Sequence, residues 1–239
     1  MSGRVDTAVG GWVDGGVDNV MVVGVGGQGV ILAAAVIADA ALLHGGLDIK
    51  LSETRGMSQR GGSVCSHIRI GPRVVAPSIS PGEVDYLLAF EAAEGLRNAV
   101  SVRPGGVVIV NTQQIVPPLA SQGELAYPVD AVERMDDGSR RVVAIDGEAV
   151  ADDAGDRKVA GVVLLGALSC FLAFAAETWE QAIRRNVPAR WLETNLAAFA
   201  AGRAVAAREM QPAGEEDGSR EAATGAGATA VRRTGEERA

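Results

Sequence analysis

Residues 19–29 read NVMVVGVGGQG, and this stretch decides the fold. Its first seven residues form an apolar run that leads into the glycines, which predicts a buried strand. The glycines fit the pattern G-x-G-x-x-G, and residues 28–43 follow with helical spacing. A strand, a glycine turn and a helix in this order predict the start of a layered α/β domain.

The glycine loop is the first candidate site, because glycines bring backbone N–H groups close to an anion and the following helix adds a partial positive charge. Its candidate residues are Gly24, Gly26, Gly27, Gln28 and Gly29. The loop indicates a phosphate-bearing ligand or a catalytic interface, with a tight turn without ligand as the alternative. A dinucleotide-binding domain also needs an acid about twenty residues later, for which Asp48 and Glu53 are the candidates. A free-standing NAD(P)-binding oxidoreductase is therefore one alternative function.

A second loop is predicted at residues 53–63 (ETRGMSQRGGS), which are too polar for a core and too rich in glycine for a helix. Its two arginines could bind phosphate or carboxylate through paired hydrogen bonds. The segment is expected to clamp a ligand or to contact another subunit. Its candidate residues are Arg55, Gly56, Ser58, Gln59, Arg60, Gly61 and Gly62.

Further strands and helices alternate along the chain. Strands are predicted at residues 47–51, 63–70, 84–90, 107–110 and 142–145, and helices at 91–100, 155–176, 178–186 and 191–208. The pattern predicts an α/β fold: a Rossmann-like, mostly parallel sheet with helices on both faces and a helical C-terminal part. The expected organisation is a flexible leader at 1–19, one domain at 20–209 and a disordered tail at 210–239.

Composition excludes several classes of protein. The chain of 239 residues has a formal net charge of −8, which argues against nucleic-acid binding through overall charge. Two cysteines and two histidines predict no metal site, because an iron–sulfur cluster or a structural zinc site needs four ligands. The acidic N-terminus is unlike a signal peptide, and the two cysteines fit a reducing cytoplasm.

The uncharged stretch at residues 159–176 is at the lower length limit for a membrane span. Its alanines and glycines favour a buried helix or a subunit interface instead. The sequence has no G-x-S-x-G nucleophile motif and no Walker lysine after the glycines. Two ligand-type loops without a complete catalytic set indicate a subunit whose chemistry another chain completes. A non-catalytic interaction module is the remaining alternative.

Four segments together carry a family resemblance: residues 24–29 (GVGGQG), 53–67 (ETRGMSQRGGSVCSH), 85–97 (DYLLAFEAAEGLR) and 187–202 (VPARWLETNLAAFAAG). In these segments the chain resembles the gamma-type subunits of the 2-oxoacid:ferredoxin oxidoreductases, most closely those of the indolepyruvate branch. The domain of that family is an α/β sheet packed next to a thiamine site. The glycine loop and the arginine-containing loop would face that site, and Glu91 would order the helix or the site at the end of its strand.

The resemblance also implies an activity. The complete enzyme would oxidatively decarboxylate an aryl 2-oxoacid, such as indolepyruvate, to an acyl-CoA and pass electrons to ferredoxin. Thiamine diphosphate and the 4Fe-4S clusters would be bound by a larger partner subunit, with CoA as co-substrate and no cofactor on this chain alone. No residue of this chain is singled out as certainly catalytic. The chain departs from the family at Gly161, where relatives often have asparagine.

Overall fold

The structure is a computed structural model that describes residues 16–55, 62–116 and 126–210. These residues form a six-stranded sheet with helices on both faces. The strands are β1 (Asp18–Val25), β2 (Asp48–Arg55), β3 (Ser63–Gly71), β4 (Val84–Ala89), β5 (Val102–Asn111) and β6 (Arg141–Ile145). The α-helices are α1 (Val30–His44), α2 (Ala92–Ala99), α3 (Ala131–Met135), α4 (Gly147–Asp153), α5 (Ala160–Leu168), α6 (Ala176–Asn186) and α7 (Leu192–Met210), with 3₁₀ turns at Arg157–Val159 and Ala189–Trp191.

The strand order is β2-β3-β1-β4-β5-β6. Strand β1 pairs in parallel with β4, β4 with β5, and β5 with β6, whereas β3 runs antiparallel to both β1 and β2. Five of the six strands therefore point the same way, which confirms the predicted mostly parallel α/β sheet. After β1 the chain continues to β2 on one side of the β1–β4 pair, and after β4 it continues to β5 on the opposite side of that pair. This reversal creates a crevice where β1 and β4 end, and in open α/β sheets such crevices bind ligands.

The hydrophobic core lies on both faces of the sheet, as two clusters of buried side chains. The larger cluster joins the sheet to α1, α5, α6 and α7 and includes Val22, Ile37 and Leu165. The smaller one joins the opposite face to α2 and α3 and includes Leu87 and Met135. Along strand β3, buried residues alternate with partly exposed ones, as its period-two pattern predicts. The sheet is therefore a rigid support for the loops at its edges.

The single helix predicted at residues 155–176 is wrong. A 3₁₀ turn precedes α5, and α5 ends at Leu168. The Ser169 hydroxyl donates to the Gly166 carbonyl, and the following N–H groups bond three residues back, which tightens the chain out of the helix. Phe174 then packs edge-on against His44 and Trp179, so the apolar residues after the break still lie in the core.

Two domain boundaries also differ from prediction. Asp18 and Asn19, assigned to the leader, belong to β1, and Met210, assigned to the tail, is the last residue of α7. Gly16 and Val17 of the predicted leader are described and precede β1, whereas residues 1–15 and 211–239 lie outside the described residues. Within the described parts of the chain, no helix has the length and apolar character needed to cross a membrane.

Candidate functional site

The two predicted loops meet at one edge of the sheet. We call this the carboxyl edge, because β1, β4, β5 and β6 all end there. The Gly26 N–H donates to the Gly62 carbonyl over 2.9 Å and so joins the glycine loop to the end of the second loop. Strand β2 ends at Arg55 and β3 begins at Ser63, so the second loop leaves and returns at this edge. The Arg55 side chain and residues 56–61, including the predicted Gly56, Ser58, Gln59, Arg60 and Gly61, lie outside the described residues.

The conformation of the first loop requires glycine at three positions. Gly27 and Gly29 have φ angles of 103° and 91°, which side chains rarely tolerate. A Cβ atom on Gly24 would lie 2.9 Å from Gln28 Oε1 and 2.9 Å from Phe90 Cβ. Glycine at position 24 therefore allows the first residue of α1, Val30, to come close to the end of β1 together with Gln28 and Phe90.

Gln28 fills the tip of this loop with its side chain. Its Oε1 accepts from the Val25 N–H over 2.7 Å, and its Nε2 donates to the Phe90 carbonyl over 2.9 Å and to Gln113 Oε1 over 2.8 Å. Gln28 thus ties the ends of β1 and β4 to the segment after β5. The amide at the loop tip is part of the architecture of the carboxyl edge.

Glu91 lies at the end of β4 and is 1% exposed. Its Oε2 caps α2 by accepting from the Glu94 N–H over 2.8 Å, and its Oε1 accepts from the Ile115 N–H over 3.1 Å. The Tyr127 hydroxyl also donates to Oε1. Glu91 therefore orders the start of α2 and both described flanks of the excursion between β5 and α3, while its predicted role at the site stays a prediction.

The hydrogen bond between Tyr127 and Glu91 makes the free energy of unfolding depend on pH in the alkaline range. Burial raises the pKa of the Tyr127 phenol, and the hydrogen bond to Glu91 and its negative charge raise it further. The folded state thus favours the neutral phenol, and this preference adds to the free energy of unfolding. The added stability is complete below the unfolded tyrosine pKa of about 10 and is lost as pH rises above it. In urea unfolding between about pH 9 and 11, we expect the wild type to lose stability more steeply than Tyr127→Phe. Parallel pH curves for the two proteins would contradict this coupling.

A cleft of about 360 Å³ opens beside the glycine loop at the carboxyl edge. Its apolar wall is formed by Phe90 and the first turns of α5. Helix α5 comes close because position 161 is glycine: a Cβ there would lie 2.6 Å from Phe90 Cε2. The polar lining residues are Gln28, Asn111, Gln113, Glu148, Arg157 and Lys158.

Asn111 is the buried residue that organises the far side of this cleft. Its Nδ2 donates to the Phe90 carbonyl and to Glu148 Oε1, and its Oδ1 accepts from the Gly147 N–H over 3.0 Å. Asn111, Gln113 and Glu148 are site residues that the sequence patterns did not single out. A signal was present, because Asn111 ends the buried strand β5, Gln113 follows it, and Glu148 lies just after β6, so all three share the edge where parallel strands end.

The strand order separates the glycine loop from the acids that a dinucleotide site would need. Asp48 begins β2, at the edge opposite to the loop, where it accepts from Lys50 and from the Val74 N–H. Glu53 lies near the end of β2, but the antiparallel strand β3 stands between β2 and β1, a separation of about 10 Å. Neither carboxylate occupies the place of a ribose-binding acid beside β1.

The thiol and the imidazole of β3 are partly buried, and burial favours the neutral form of each. Burial raises the pKa of the Cys65 thiol to about 11, and the charge of Glu94 adds to the shift. Burial lowers the pKa of His67, whose Nδ1 accepts from the Ile79 N–H over 3.1 Å. Among the described residues, no group of three His, Cys, Asp or Glu side chains could hold a metal ion.

Comparisons with known proteins agree on one family. The family model for pyruvate ferredoxin/flavodoxin oxidoreductase matches residues 19–205. The indolepyruvate oxidoreductase subunit IorB of Archaeoglobus fulgidus is 38% identical over 188 residues, which cover 77% of this chain and 92% of that subunit. The 2-oxoglutarate synthase subunit KorC of Methanothermobacter marburgensis is 30% identical over 191 residues, with coverage of 77% and 94%.

A solved structure has the same fold. The gamma subunit of a keto/oxoacid ferredoxin oxidoreductase from Geobacter sulfurreducens PCA superposes with a TM-score of 0.60 and 26% sequence identity. The match covers 80% of this chain and 99% of that subunit. The match therefore spans nearly the whole of that gamma subunit.

Proposed function

The chain belongs to the pyruvate ferredoxin/flavodoxin oxidoreductase family, and on that premise we propose that it is the cofactor-free subunit of a thiamine-diphosphate-dependent 2-oxoacid:ferredoxin oxidoreductase. The observation that carries the proposal is the similarity to whole subunits of such enzymes, together with the meeting of both family loops at the carboxyl edge. The relatives are oxidoreductase subunits, and they do not support the free-standing NAD(P)-binding alternative.

In the proposed reaction a 2-oxoacid anion and CoA give an acyl-CoA, carbon dioxide and a proton. The carboxyl–carbonyl bond breaks, a carbon–sulfur bond forms, and two electrons pass to two ferredoxin molecules. Thiamine diphosphate, bound to the larger partner, would supply the stabilised carbanion chemistry of the decarboxylation. The two cysteines of this chain cannot supply the four thiolates of a cluster, which supports 4Fe-4S clusters on that partner.

The proposed substrate is an aryl 2-oxoacid of the indolepyruvate type. Support comes from the order of similarity, because the indolepyruvate oxidoreductase subunit is 38% identical and the 2-oxoglutarate synthase subunit 30% identical to this chain. A panel of 2-oxoacids offered to the assembled enzyme tests this point. We expect the highest kcat/KM with indolepyruvate, and a preference for 2-oxoglutarate would contradict the assignment.

The carboxyl edge is the part of this subunit that we propose to face the partner's thiamine site. In this proposal the loop residues from Gly24 to Gly29 and from Arg55 to Gly62 form part of the entrance for substrate or CoA. Arg55 and Arg60 would hold a CoA phosphate or a substrate carboxylate, or pair with acids on the partner. The cytoplasm is the proposed location, in agreement with two cysteines and a soluble electron acceptor.

The experiment that tests the function is purification of the tagged chain from its host, followed by thiamine and iron assays on the copurified protein. We expect a stoichiometric larger partner that contains both, with 2-oxoacid-dependent ferredoxin reduction only in the complex. A preparation without thiamine or iron would contradict the proposal.

In the intact complex, we expect Arg60→Ala to lower turnover at least tenfold while the thermal stability of the chain stays unchanged, because single charges in loops, where the sequence predicts Arg60 to lie, contribute little to stability. Unchanged turnover would exclude the role of Arg60 as a clamp.

A further inference from the structure

The orientation of the Gln28 amide is determined by its backbone partners. The Val25 N–H can only donate and the Phe90 carbonyl can only accept, so Oε1 must face the former and Nε2 the latter. The same Nε2 is 2.8 Å from the side-chain oxygen of Gln113. The Gln28 side chain is thus a fixed hydrogen-bond donor towards Gln113.

This donor determines which end of the Gln113 amide remains for the cleft. Because Oε1 of Gln113 accepts from Gln28, the NH₂ group of Gln113 is turned away from that contact, and Gln113 lines the cleft. Among the described residues, no acceptor lies within hydrogen-bond distance of this NH₂ group. The NH₂ group of Gln113, a residue that lines the cleft, therefore has both N–H donors free of partners among the described residues.

The backbone of Gln113 is hydrogen-bonded as well. Its N–H donates to Asn111 Oδ1 over 3.5 Å, and its carbonyl accepts from the Ala92 N–H at the start of α2 over 3.1 Å. Asn111 itself is 2% exposed and is bonded to the neighbouring strand ends. A donor group that is already fixed by such hydrogen bonds loses little conformational entropy when it binds a ligand.

The remaining polar lining of the cleft contains two cations, Arg157 and Lys158. The cations are exposed, and Glu148 adds a carboxylate whose Oε1 is already occupied by Asn111. Donors and cations that line one cleft favour a ligand that brings acceptor oxygens and negative charge. Phe90 and Leu164 supply an apolar wall for the rest of such a ligand.

We propose that Gln113 is a ligand-contacting residue of this cleft: held by Gln28, it donates its NH₂ group to an acceptor oxygen of an anionic substrate of the complex. Gln28 and Asn111 are then positioning residues that act through Gln113. This inference rests on the proposed function, which supplies two anionic substrates, the 2-oxoacid and CoA. Gln113 would donate the same hydrogen bond to the 2-oxoacid or to CoA, and kinetic measurements on the assembled enzyme decide which of the two substrates it contacts.

The test variant is Gln113→Glu, because a carboxylate still accepts from Gln28 Nε2 but presents an oxygen instead of N–H donors to the cleft. Gln114→Glu is the matched control. It makes the same charge change one residue along, at an exposed side chain outside the cleft that donates to the Val129 carbonyl. Both variants are to be studied as complete complexes with the partner, with KM measured separately for indolepyruvate and for CoA.

We expect Gln113→Glu to raise one KM at least tenfold, about the effect of losing a hydrogen bond to a charged group, while Gln114→Glu leaves both KM values near wild type. A rise in the KM for CoA identifies CoA as the ligand, and a rise in the KM for the 2-oxoacid identifies the latter. Equal KM values in the two variants, or a loss of partner binding in Gln113→Glu alone, would overturn the proposal. Failure of the proposed function is distinguished by a wild-type complex that does not reduce ferredoxin.

Discussion

Replacing Gly202 with alanine is expected to lower the free energy of unfolding by about 3 kcal/mol, an overpacking cost at the upper end of the usual range. Gly202 lies on α7 where it crosses α5. A Cβ at this position would be 1.9 Å from the Val163 carbonyl oxygen, and one on Gly166 of the facing helix would be 2.2 Å from the Phe199 carbonyl oxygen. The obstacle is backbone on both sides, so neither helix can yield by a rotamer change.

Helix propensity alone predicts the opposite sign for Gly202→Ala, since alanine in a helix interior is favoured over glycine by about 1 kcal/mol. The matched control is Ala204→Gly, at an exposed position of the same helix, which should lose about 1 kcal/mol through propensity alone. Urea unfolding of the three purified chains decides between the two effects. A Gly202→Ala variant as stable as the wild type would show that the helices can separate at little cost.

The main features of the fold could be predicted because they depend on local patterns. The apolar run before the glycines, the alternation along β3 and the glycine turn each have a signal within about ten residues. The prediction of a single helix at 155–176 was wrong because it, too, relied on a local pattern. An uninterrupted apolar composition continues through the break, and only the hydroxyl of Ser169 and the packing of Phe174 turn the chain away.

The candidate site could be predicted only in part, because half of it depends on strand order. The two glycine-containing loops were predicted from composition, and their adjacency follows from the position of β3 between β2 and β1. Asn111 and Gln113 belong to no sequence motif from which a role at the site could be predicted. They join the site only because β5 ends beside β4, where Gln28 reaches across the crevice. Long-range pairing of this kind is not encoded in a window of neighbouring residues.

The second large effect is expected at Glu91, the buried carboxylate at the end of β4. Glu91→Ala should cost about 3–5 kcal/mol of unfolding free energy, because it removes the cap of α2 and leaves the Ile115 N–H and the Tyr127 hydroxyl without their acceptor. Glu91→Gln retains one oxygen and should cost an intermediate amount, about 1–3 kcal/mol, since its NH₂ must face a donor on one side.

The matched control for Glu91 is Glu83→Ala, at an exposed position just before the same strand, which should stay within about 0.5 kcal/mol of wild type. Chemical unfolding of the purified chains gives the order of the variants. If the free energy of unfolding increases in the order Glu91→Ala, Glu91→Gln, wild type, Glu91 stabilises the protein through the number of hydrogen bonds that it accepts. If Glu91→Gln is as stable as the wild type, a single side-chain oxygen is sufficient, and it is wrong that the one donor on α2 and the two donors on the excursion need both carboxylate oxygens. If both variants lose the same amount, the negative charge matters more than the count of acceptors, because the amide keeps the shape and one acceptor but not the charge.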